Sequence, residues 1–312
     1  YTIFLPPEEN KITQEDLGGN FEGVGIQIGF KGTQLAVIAP LPGSPAEEAG
    51  IKPGDYIIGI KDEEKNVDRG TVGIGLAEAV KLIRGPTGSE VTLTLLRDGE
   101  DKPIILTLKR ARLDVPSVVL DFVGDNKNIA HIQLLRFDGE TNGEWEKAVS
   151  QVNQKRPLKG IVLDLRNNPG GYLDGAVDVS AEFLENGSLV LIEERGESVK
   201  TEFKTQRVGA LTDIPIVVLV NEGSASASEI LAGALRDIKG IRLVGEKTFG
   251  KGTIQEPQQL DGGSGLHITI ARWLTPDGIW VDGEGLDPDV EISDNEETEE
   301  DEQLEEAVKL LN

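Results

Sequence analysis

The sequence contains no cysteine and no methionine, and its histidines are limited to His131 and His267. Without cysteine the chain cannot form a disulfide, a cysteine nucleophile or a thiolate metal site, although this says little about its compartment. Two histidines exclude a histidine-rich zinc site and leave few choices for a histidine base. Because the chain begins at Tyr1, we interpret it as a fragment whose natural start lies upstream.

Basic residues are also scarce, since 31 Lys and Arg stand against 55 Asp and Glu, a net charge of −24. A nucleic-acid partner is therefore not expected, because binding to phosphates needs a basic patch. There is no run of 18 apolar residues, so the sequence predicts no membrane span. The chain does have 312 residues, 38% of them apolar, which is enough for about two domains with real cores.

Short apolar runs broken by glycine characterise residues 21–110. The runs GVGIQIGF and LAVIAPL predict strands, and VTLTLLRDG followed by PIILTLKR predicts a hairpin. SPAEEAGI predicts a short helix with Ser44 as its N-cap, and GLAEAVKLIRG predicts a second helix. Residues 1–20 are polar and are predicted to form an arm that leads into this first domain.

Strands and helices alternate in residues 111–290, a pattern typical of an α/β domain. The run IPIVVLV is continuously apolar, as expected for a strand buried on both faces. Helices are predicted over 141–154, 173–185 and 226–237. The acidic stretch at 291–312 predicts a solvated linker followed by the short helix QLEEAVKLL.

The segment IPIVVLVNEGSASASEILAGALRD places three serines between a buried strand and the start of a helix. A helix N-terminus offers unpaired N–H groups and a partial positive charge, which suit a nucleophile and a developing oxyanion. Serine is equally a favoured N-cap. From this segment alone, either role is open.

A second segment, GEKTFGKGTIQ, holds Lys251 between two glycines. A lysine can act as a general base if burial lowers its pKa from about 10.4 towards 7–8. The alternative, a phosphate-binding loop, does not match, because Gly252 stands where that motif requires Ser or Thr. A third segment, DLRNNPGG, either presents glycine N–H groups to an anion or is an ordinary glycine-rich turn.

Together these segments resemble the C-terminal processing peptidases, or tail-specific proteases, which are PDZ-containing serine endopeptidases of family S41. Four stretches resemble its protease signatures in family order: DLRNNPGGYL, NEGSASASEILAGALRD, GEKTFGKGTIQ and ARWLTPDGIWVDGEGLDPDVEI. GSPAEEAGIKPGD and AVKLIRGPTG resemble its PDZ domain. The resemblance covers residues 1–290. It implies a multidomain α/β (α+β) fold, with a crotonase- and Clp-protease-like catalytic core and cap elements at 111–290 and an inserted PDZ domain at 21–110.

The resemblance also implies the catalytic residues. Ser226 would be the nucleophile, Lys251 its base 25 positions later, and Gln255 the residue that orients the lysine amine. An amide oxygen can accept a hydrogen bond from the amine without adding charge that would raise its pKa. The resemblance further implies that the backbone N–H groups of Ala227 and of Gly170 or Gly171 form the oxyanion hole. It also implies two supporting residues, Asp237 and Arg84. We predict that Asp237 is structural, whereas Arg84 resembles a residue that communicates with the protease core in some family members.

A second site is implied in the PDZ-like domain. The loop Gly23, Val24, Gly25 and Ile26 corresponds to the family's carboxylate loop, which binds the end of a peptide added to a sheet edge. Leu76, Val80 and Ile83 either line an apolar pocket for that peptide or belong to the core. Ser224 and Ser228 are then left with capping or packing roles, and the two histidines with packing or surface roles.

The sequence therefore predicts a PDZ-gated serine endopeptidase that recognises accessible, apolar C-termini of polypeptides and needs no metal or organic cofactor. Family members often carry an upstream secretion signal or anchor and a helical oligomerisation segment. The resemblance thus implies a periplasmic or extracytoplasmic location, with membrane anchoring and homo-oligomerisation through a missing N-terminal segment as further expectations.

Two alternatives remain. One is a catalytically silent PDZ-containing peptide-binding scaffold with a protease-like fold, which the intact Ser226, Lys251 and Gln255 disfavour. The other is a crotonase-type acyl-CoA enzyme, which explains neither the PDZ-like domain nor the serine–lysine spacing. A Ser-His-Asp arrangement is also disfavoured, because GxSxG is absent around Ser226.

Overall fold

In the computed structural model, which describes residues 1–100, 102–196, 199–293 and 300–312, the chain divides into two units. One unit is Asn20–Val115, and the other joins Tyr1–Gly19 to Pro116–Asn312. The smaller unit is thus inserted into the sequence of the larger one. The predicted acidic linker falls mostly on residues 294–299, which lie outside the described residues.

The elements are given in chain order. The larger unit begins with β1 (Ile3–Leu5) and α1 (Pro7–Leu17). The smaller unit follows with β2 (Asn20–Gly23), β3 (Ile26–Lys31), β4 (Gln34–Pro40), α2 (Pro45–Glu48), β5 (Tyr56–Asp62), β6 (Val67–Gly70), α3 (Leu76–Ile83), β7 (Glu90–Leu96), β8 (Ile104–Lys109) and β9 (Ala111–Asp114). The larger unit resumes with β10 (Val118–Val123), β11 (Ile129–Leu134), α4 (Thr141–Gln154), β12 (Gly160–Asp164), α5 (Leu173–Ser180), β13 (Leu189–Arg195), β14 (Val199–Lys204), β15 (Ile216–Val220), α6 (Ala227–Lys239), β16 (Leu243–Gly245), β17 (Thr253–Gln259), β18 (Gly265–Leu274), β19 (Val290–Glu291) and α7 (Glu302–Leu310).

The smaller unit is built on an antiparallel sheet in the order β3-β4-β5-β7-β8, with β6 paired to β5 and a separate β2–β9 pair. Buried and partly exposed residues alternate along β7, as the period of a strand requires. The predicted hairpin of β7 and β8 is confirmed, and so is the N-cap, because Ser44 Oγ accepts the Glu47 N–H at 3.2 Å. The buried Arg110 pairs with Asp62 and caps the end of α3 through the Ile83 carbonyl.

The larger unit contains a sheet in the order β10-β11-β12-β15-β16-β19, parallel except for β10. β15 is buried along its whole length. Ile216 and Val218 pack in the cluster that includes α4, α5 and α6, whereas Val217 and Leu219 pack in the cluster with α7 on the other face. The prediction that IPIVVLV is a strand buried on both faces is thus confirmed.

A second sheet in the larger unit has the order β1-β18-β13-β14, with β17 also paired to β18. Residues 1–20, predicted as an arm, form β1 and α1 here. β1 pairs antiparallel with β18, with Ile3 opposite His267. Asn10 of α1 is only 2% exposed and donates to Gln259 Oε1 and to the Gly263 carbonyl, both at 2.9 Å. The first residues are therefore packed on the β17–β18 hairpin.

The helices at 141–154 and at the C-terminus are confirmed by α4 and α7, and α6 agrees with the predicted helix within two residues. The end predicted at residue 185 for the helix over 173–185 is wrong, because α5 stops at Ser180. The Ser180 hydroxyl donates to the Ala176 carbonyl at 2.7 Å, and the next turn tightens, with Glu182 N bonded to Val179 O at 3.1 Å. Such a side-chain bond bends and weakens a helix.

Within the described ranges, no helix combines the length and apolar character needed to cross a membrane.

Candidate active site

The loops that follow β11, β12 and β15 meet at one edge of the parallel sheet, because these three strands are neighbours and end on the same side. A cavity of about 380 Å³ opens there, bounded also by α1 and the β17–β18 hairpin. Its lining includes every residue predicted for the catalytic machinery: Gly170, Gly171, Ser226, Ala227, Lys251 and Gln255. Three segments that are far apart in sequence are thereby brought together.

Ser226 lies immediately before α6 with φ 56° and ψ −112°. A residue other than glycine in this region is strained, and such strain concentrates at functional positions. By contrast, Ser224 and Ser228 are fully buried, and their hydroxyls donate to the carbonyls of Leu165 (2.8 Å) and Asn168 (2.9 Å). Their predicted packing role is confirmed, and Ser226 is the serine of this trio that lines the cavity.

Lys251 lies in the loop between β16 and β17 and is half-buried. Burial lowers the pKa of its amine below the ordinary value, despite the opposing attraction of the Glu229 carboxylate. Its backbone is fixed on both sides, since the Lys251 N–H donates to Glu229 Oε2 at 2.9 Å and its carbonyl accepts from Trp273 Nε1 at 2.9 Å. The direction of the pKa shift is the one that a lysine base needs.

Glu229 joins the serine to the lysine loop. It is fully buried in the first turn of α6, and its Oε2 accepts the N–H groups of Ser226 (2.8 Å) and Lys251 (2.9 Å). Its Oε1 accepts the Thr248 hydroxyl (2.6 Å) and the Gly250 N–H (2.7 Å). From the sequence, Glu229 had only the position of a capping-box glutamate, three residues after Ser226. Its bonds to the lysine loop had no sequence signal.

The Ala227 N–H belongs to the first turn of α6, where backbone donors have no partner within the helix. Gly170 lies directly against it, with φ +96°. A Cβ at this position would lie 2.9 Å from the Ala227 nitrogen and 2.9 Å from Ser226 Cβ. Only glycine leaves open space in front of the serine and its neighbouring N–H.

The two glycines predicted as oxyanion donors differ in their bonding. The Gly170 N–H already donates to Asn168 Oδ1 at 2.9 Å. The loop is also tied to Phe137, which donates to the Gly170 carbonyl and accepts from the Tyr172 N–H, both at 2.9 Å. The Gly171 N–H takes part in none of these bonds. The geometry therefore favours Gly171 over Gly170 as the second donor.

Gln255 also contacts the first residue of the chain, Tyr1. Its Nε2 donates to the Tyr1 carbonyl at 2.5 Å. Because a carbonyl can only accept, the amide nitrogen is held at Tyr1 and the amide oxygen is turned away from it. That oxygen is the group able to accept a hydrogen bond from the Lys251 amine, which lines the same cavity.

Sequence reasoning missed part of the cavity wall. His267, assigned a packing or surface role, lines the cavity, and burial together with the charge of Lys251 lowers its pKa. Thr13, Asp16 and Leu17 of α1 line it as well. The N-terminal segment carries no apolar periodicity that could have signalled this contact.

His131 has the expected packing role. Its Nε2 lies 3.0 Å from Asp164 Oδ2, and both side chains are buried. Burial would raise the pKa of Asp164, but hydrogen bonds from His131 and Arg166 outweigh it and hold that pKa below its ordinary value. Arg166 also pairs with Asp301, the N-cap of α7, and so anchors the C-terminal helix to the loop after β12.

The two supporting residues lie outside the cavity lining. Asp237 is near the far end of α6, about 16 Å along the axis from Ser226. Its Oδ2 accepts the Asp277 N–H at 3.1 Å, a contact of the kind expected for a structural residue. In the smaller unit, the Arg84 guanidinium stacks 4.5 Å from the centre of the Phe21 ring.

The loop Gly23 to Ile26 connects β2 to β3. Val24 is 1% exposed and belongs to the core of the smaller unit. Its carbonyl accepts from the Ala46 N–H at 3.0 Å, and that of Gly25 accepts from the Leu41 N–H at 2.9 Å. These bonds hold the loop carbonyls inward.

The three residues of α3 predicted to line a pocket or to belong to the core differ in burial. Ile83 is in the core, Val80 is half-buried and Leu76 is exposed. Leu76 and Val80 are thus the two of these three that reach the surface of the smaller unit. In the described part of both units, no three potential metal-binding side chains cluster.

The chain is similar to two known protein families and to individual known proteins. The model of peptidase family S41 matches residues 128–292, and that of a PDZ domain matches residues 37–97. Proteins described as CtpA-like serine proteases from Staphylococcus epidermidis (strain ATCC 12228) and Staphylococcus aureus (strain N315) are 38% identical over 295 residues and 41% identical over 293 residues. Both alignments cover 94% of this chain but 57% of the relative, so the chain spans little more than half the length of these relatives.

Solved structures give the same picture. The photosystem II D1 C-terminal processing protease is 30% identical with a TM-score of 0.60, over 94% of this chain and 78% of that one. A Bacteroides fragilis structure assigned to the S41 proteases has a TM-score of 0.63 at 15% identity, over 94% and 79% of the two chains, and is a likeness of fold alone. The predicted fold class, a mixed α/β protease fold with a PDZ domain, is confirmed.

Proposed function

The chain belongs to peptidase family S41, and from this premise we propose that it is a serine endopeptidase in which Ser226 and Lys251, assisted by Gln255, hydrolyse peptide bonds. One observation carries the proposal: a strained serine and a lysine with a lowered pKa line the same cavity and are linked through Glu229. The fold brings them together from segments 25 residues apart.

In the proposed reaction, the neutral amine of Lys251 removes the proton from Ser226 as its Oγ attacks the substrate carbonyl. Lysine can do this only while uncharged, so the lowered pKa increases the fraction of competent enzyme near neutral pH. The Gln255 oxygen would accept a hydrogen bond from the amine and hold it towards the serine. Glu229 fixes the backbones of Ser226 and Lys251 relative to each other by accepting a hydrogen bond from each.

The tetrahedral intermediate places a negative charge on the former carbonyl oxygen. The Ala227 N–H, the partial positive charge at the start of α6 and the Gly171 N–H are the proposed stabilising groups. Lys251 then returns its proton to the leaving amine, which frees the new C-terminal fragment and leaves an acyl-enzyme. Water, activated by the same lysine, completes hydrolysis and regenerates the Ser226 hydroxyl.

We also propose that the smaller unit recognises the substrate's C-terminus. The support is the PDZ family match, the loop from Gly23 to Ile26, and the apolar Leu76 and Val80 exposed or half-buried on α3. PDZ domains add a peptide to a sheet edge and bind its carboxylate with backbone N–H groups. Substrates would be polypeptides with accessible apolar C-termini, and tail binding would activate proteolysis.

The test is cleavage of an unfolded polypeptide that ends in an apolar tail. Ser226→Ala and Lys251→Met should each reduce cleavage to background, because removing a serine-protease nucleophile costs up to about 10⁶ in kcat. Ser150→Ala and Lys247→Met are matched controls at exposed positions and should cleave normally. Cleavage that survives Ser226→Ala would overturn the nucleophile assignment.

A second arm uses the same substrate with an amidated C-terminus. Reduced cleavage of the amidated form supports recognition of the tail carboxylate, whereas equal cleavage contradicts it. Tail binding without cleavage by the unmodified chain would support the peptide-binding scaffold instead.

A further inference from the structure

The loop that carries Lys251 is held by hydrogen bonds on nearly every backbone group. The N–H groups of Gly250 and Lys251 bond to Glu229, and the Lys251 carbonyl accepts from Trp273 Nε1. The Gly252 carbonyl accepts from Trp280 Nε1 at 3.0 Å and from the backbone N–H of Trp273 at 3.1 Å. Two indole rings thus hold two consecutive carbonyls beside the lysine.

The two tryptophans differ in their surroundings. Trp273 is completely buried and lines the cavity, so it belongs to the core around the site. Trp280 is 43% exposed and is not among the residues lining the cavity. Its ring lies 5.2 Å from the Arg272 guanidinium, in cation–π geometry. Trp280 therefore contacts the loop from the solvent side, without reaching the reacting atoms.

The contact with Trp280 is possible because Gly252 has no side chain. A Cβ at Gly252 would lie 2.6 Å from Trp280 Nε1 and 2.7 Å from both Cβ and the nitrogen of Asp282. These distances are too short for any side chain, so the glycine is required by close approach rather than by its backbone angles. The Gly252 N–H also donates to Asp282 Oδ1 at 3.1 Å. The segment around Trp280 and the glycine after Lys251 are thus complementary.

We propose that Trp280 is a positioning residue that keeps the Lys251 amine in the cavity by holding the Gly252 carbonyl. The inference rests on the proposed function, in which Lys251 is the base. Because Lys251 is flanked by two glycines, its loop has little conformational resistance of its own. Without the indole bond, the Gly252 carbonyl keeps only the Trp273 N–H as a donor, so the loop is held less tightly and the lysine side chain gains access to solvent. Hydration then favours its charged form, and the fraction of neutral base falls.

The test compares Trp280→Phe with Trp145→Phe. The first keeps an aromatic ring beside Arg272 but removes the N–H donor. The second makes the same chemical change in α4, where the buried Trp145 packs edge-on against Phe183 at 5.8 Å. Within the described residues, the Trp145 indole nitrogen has no hydrogen-bond partner. The control therefore reports the effect of a Trp-to-Phe change that breaks no hydrogen bond.

Two measurements are made on the whole chain. The first is the pH dependence of kcat and KM for peptide cleavage. The second is the pH dependence of Lys251 modification by acetic anhydride, followed by mass spectrometry of its peptide, which reports the lysine without requiring activity. Trp280→Phe should raise the labelling midpoint by about one pH unit and lower kcat at neutral pH about tenfold, since each unit changes the neutral fraction tenfold. KM should stay unchanged.

Trp145→Phe should leave the labelling midpoint where it is in the unmodified chain. A folded Trp280→Phe chain with an unchanged midpoint would overturn the inference. If Trp280→Phe does not fold, Gly252→Ala replaces it, because the added methyl group displaces the same indole and should shift the midpoint in the same direction. Loss of the proposed function is distinguishable, since a chain that cleaves nothing still yields a labelling midpoint for each variant.

Discussion

Substitution Glu229→Gln tests the link between the serine and the lysine loop. The amide has nearly the same shape as the carboxylate, but one oxygen becomes an NH2 group that cannot accept. If the NH2 replaces Oε2, it faces the N–H groups of both Ser226 and Lys251. If it replaces Oε1, the Thr248 hydroxyl can reverse its role and accept, so the backbone loses one bond, that of the Gly250 N–H, and the Thr248 O–H turns away from residue 229. The second orientation is favoured.

The cost in that orientation can be estimated. One hydrogen bond to a charged group is lost, worth about 1.5–3 kcal/mol, and the bonds that remain become weaker neutral ones. A total of roughly 3 kcal/mol follows, a large share of a typical stability of about 5–15 kcal/mol. For a unit of the size of Tyr1–Gly19 with Pro116–Asn312, which contains Glu229, the Tm should fall by roughly 6–12 °C. Differential scanning calorimetry measures this directly, with Glu222→Gln at an exposed position as the matched control.

The same variant has a predicted kinetic signature. The Glu229 carboxylate raises the pKa of Lys251 by attraction, so removing its charge should lower that pKa further. The neutral base then persists to lower pH, and the acid limb of the kcat/KM profile should move to lower pH. At the plateau, kcat should fall about 10²-fold, because the serine and lysine are less well aligned. An acid limb that stays in place or moves upward would refute the electrostatic reasoning, and an unchanged Tm would refute the four-bond account.

Gly170→Ala should lower kcat about 10²–10³-fold with little change in KM, because its Cβ would lie 2.9 Å from Ser226 Cβ and occupy the space for the oxyanion; steady-state kinetics on a short peptide checks this. Asn10→Ala should lower stability by roughly 1–3 kcal/mol and expose α1 to limited proteolysis, because two buried hydrogen bonds to the β17–β18 hairpin are lost; equal protease resistance would contradict this. Asp164→Asn should weaken the pH dependence of unfolding. The pKa of Asp164 is lowered in the folded state, so the carboxylate stabilises the fold above the unfolded pKa of about 3.9, and this stabilisation is lost as the pH falls below that value. In denaturant titrations between about pH 5 and 2, the free energy of unfolding should therefore fall more steeply with decreasing pH in the unmodified chain than in the variant.

Elements with a strong apolar period were predictable from the sequence. β15 has five apolar residues in a row because each face meets a different helical layer, and this pattern is visible without a structure. The residues proposed as catalytic could be named from the sequence for a different reason. Ser226 and Lys251 stand in glycine- and serine-rich segments that follow strands, and these segments resemble family signatures.

The walls of the cavity could not be predicted, because they depend on contacts between residues far apart in sequence. α1 has no apolar stripe, and its docking depends on Asn10, a polar residue bonded to the β17–β18 hairpin. His267 lies in β18, where successive side chains point to opposite faces of the sheet. Its position in the sequence does not show which of these faces meets Lys251. Glu229 shows only its local capping position, and its partners in the lysine loop come from tertiary folding.

The long-range docking of the N-terminal segment has a consequence for biosynthesis. Asn10 and its partner Gln259 are separated by 249 positions. At a synthesis rate of about 5–20 residues per second, roughly 12–50 s pass between the appearance of the two residues. The smaller unit has all of its residues within 20–115 and can fold during that interval. The α1 wall of the cavity can be added only after the β17–β18 hairpin has left the ribosome. The nascent chain therefore lacks a completed cavity until the β17–β18 hairpin has been synthesised.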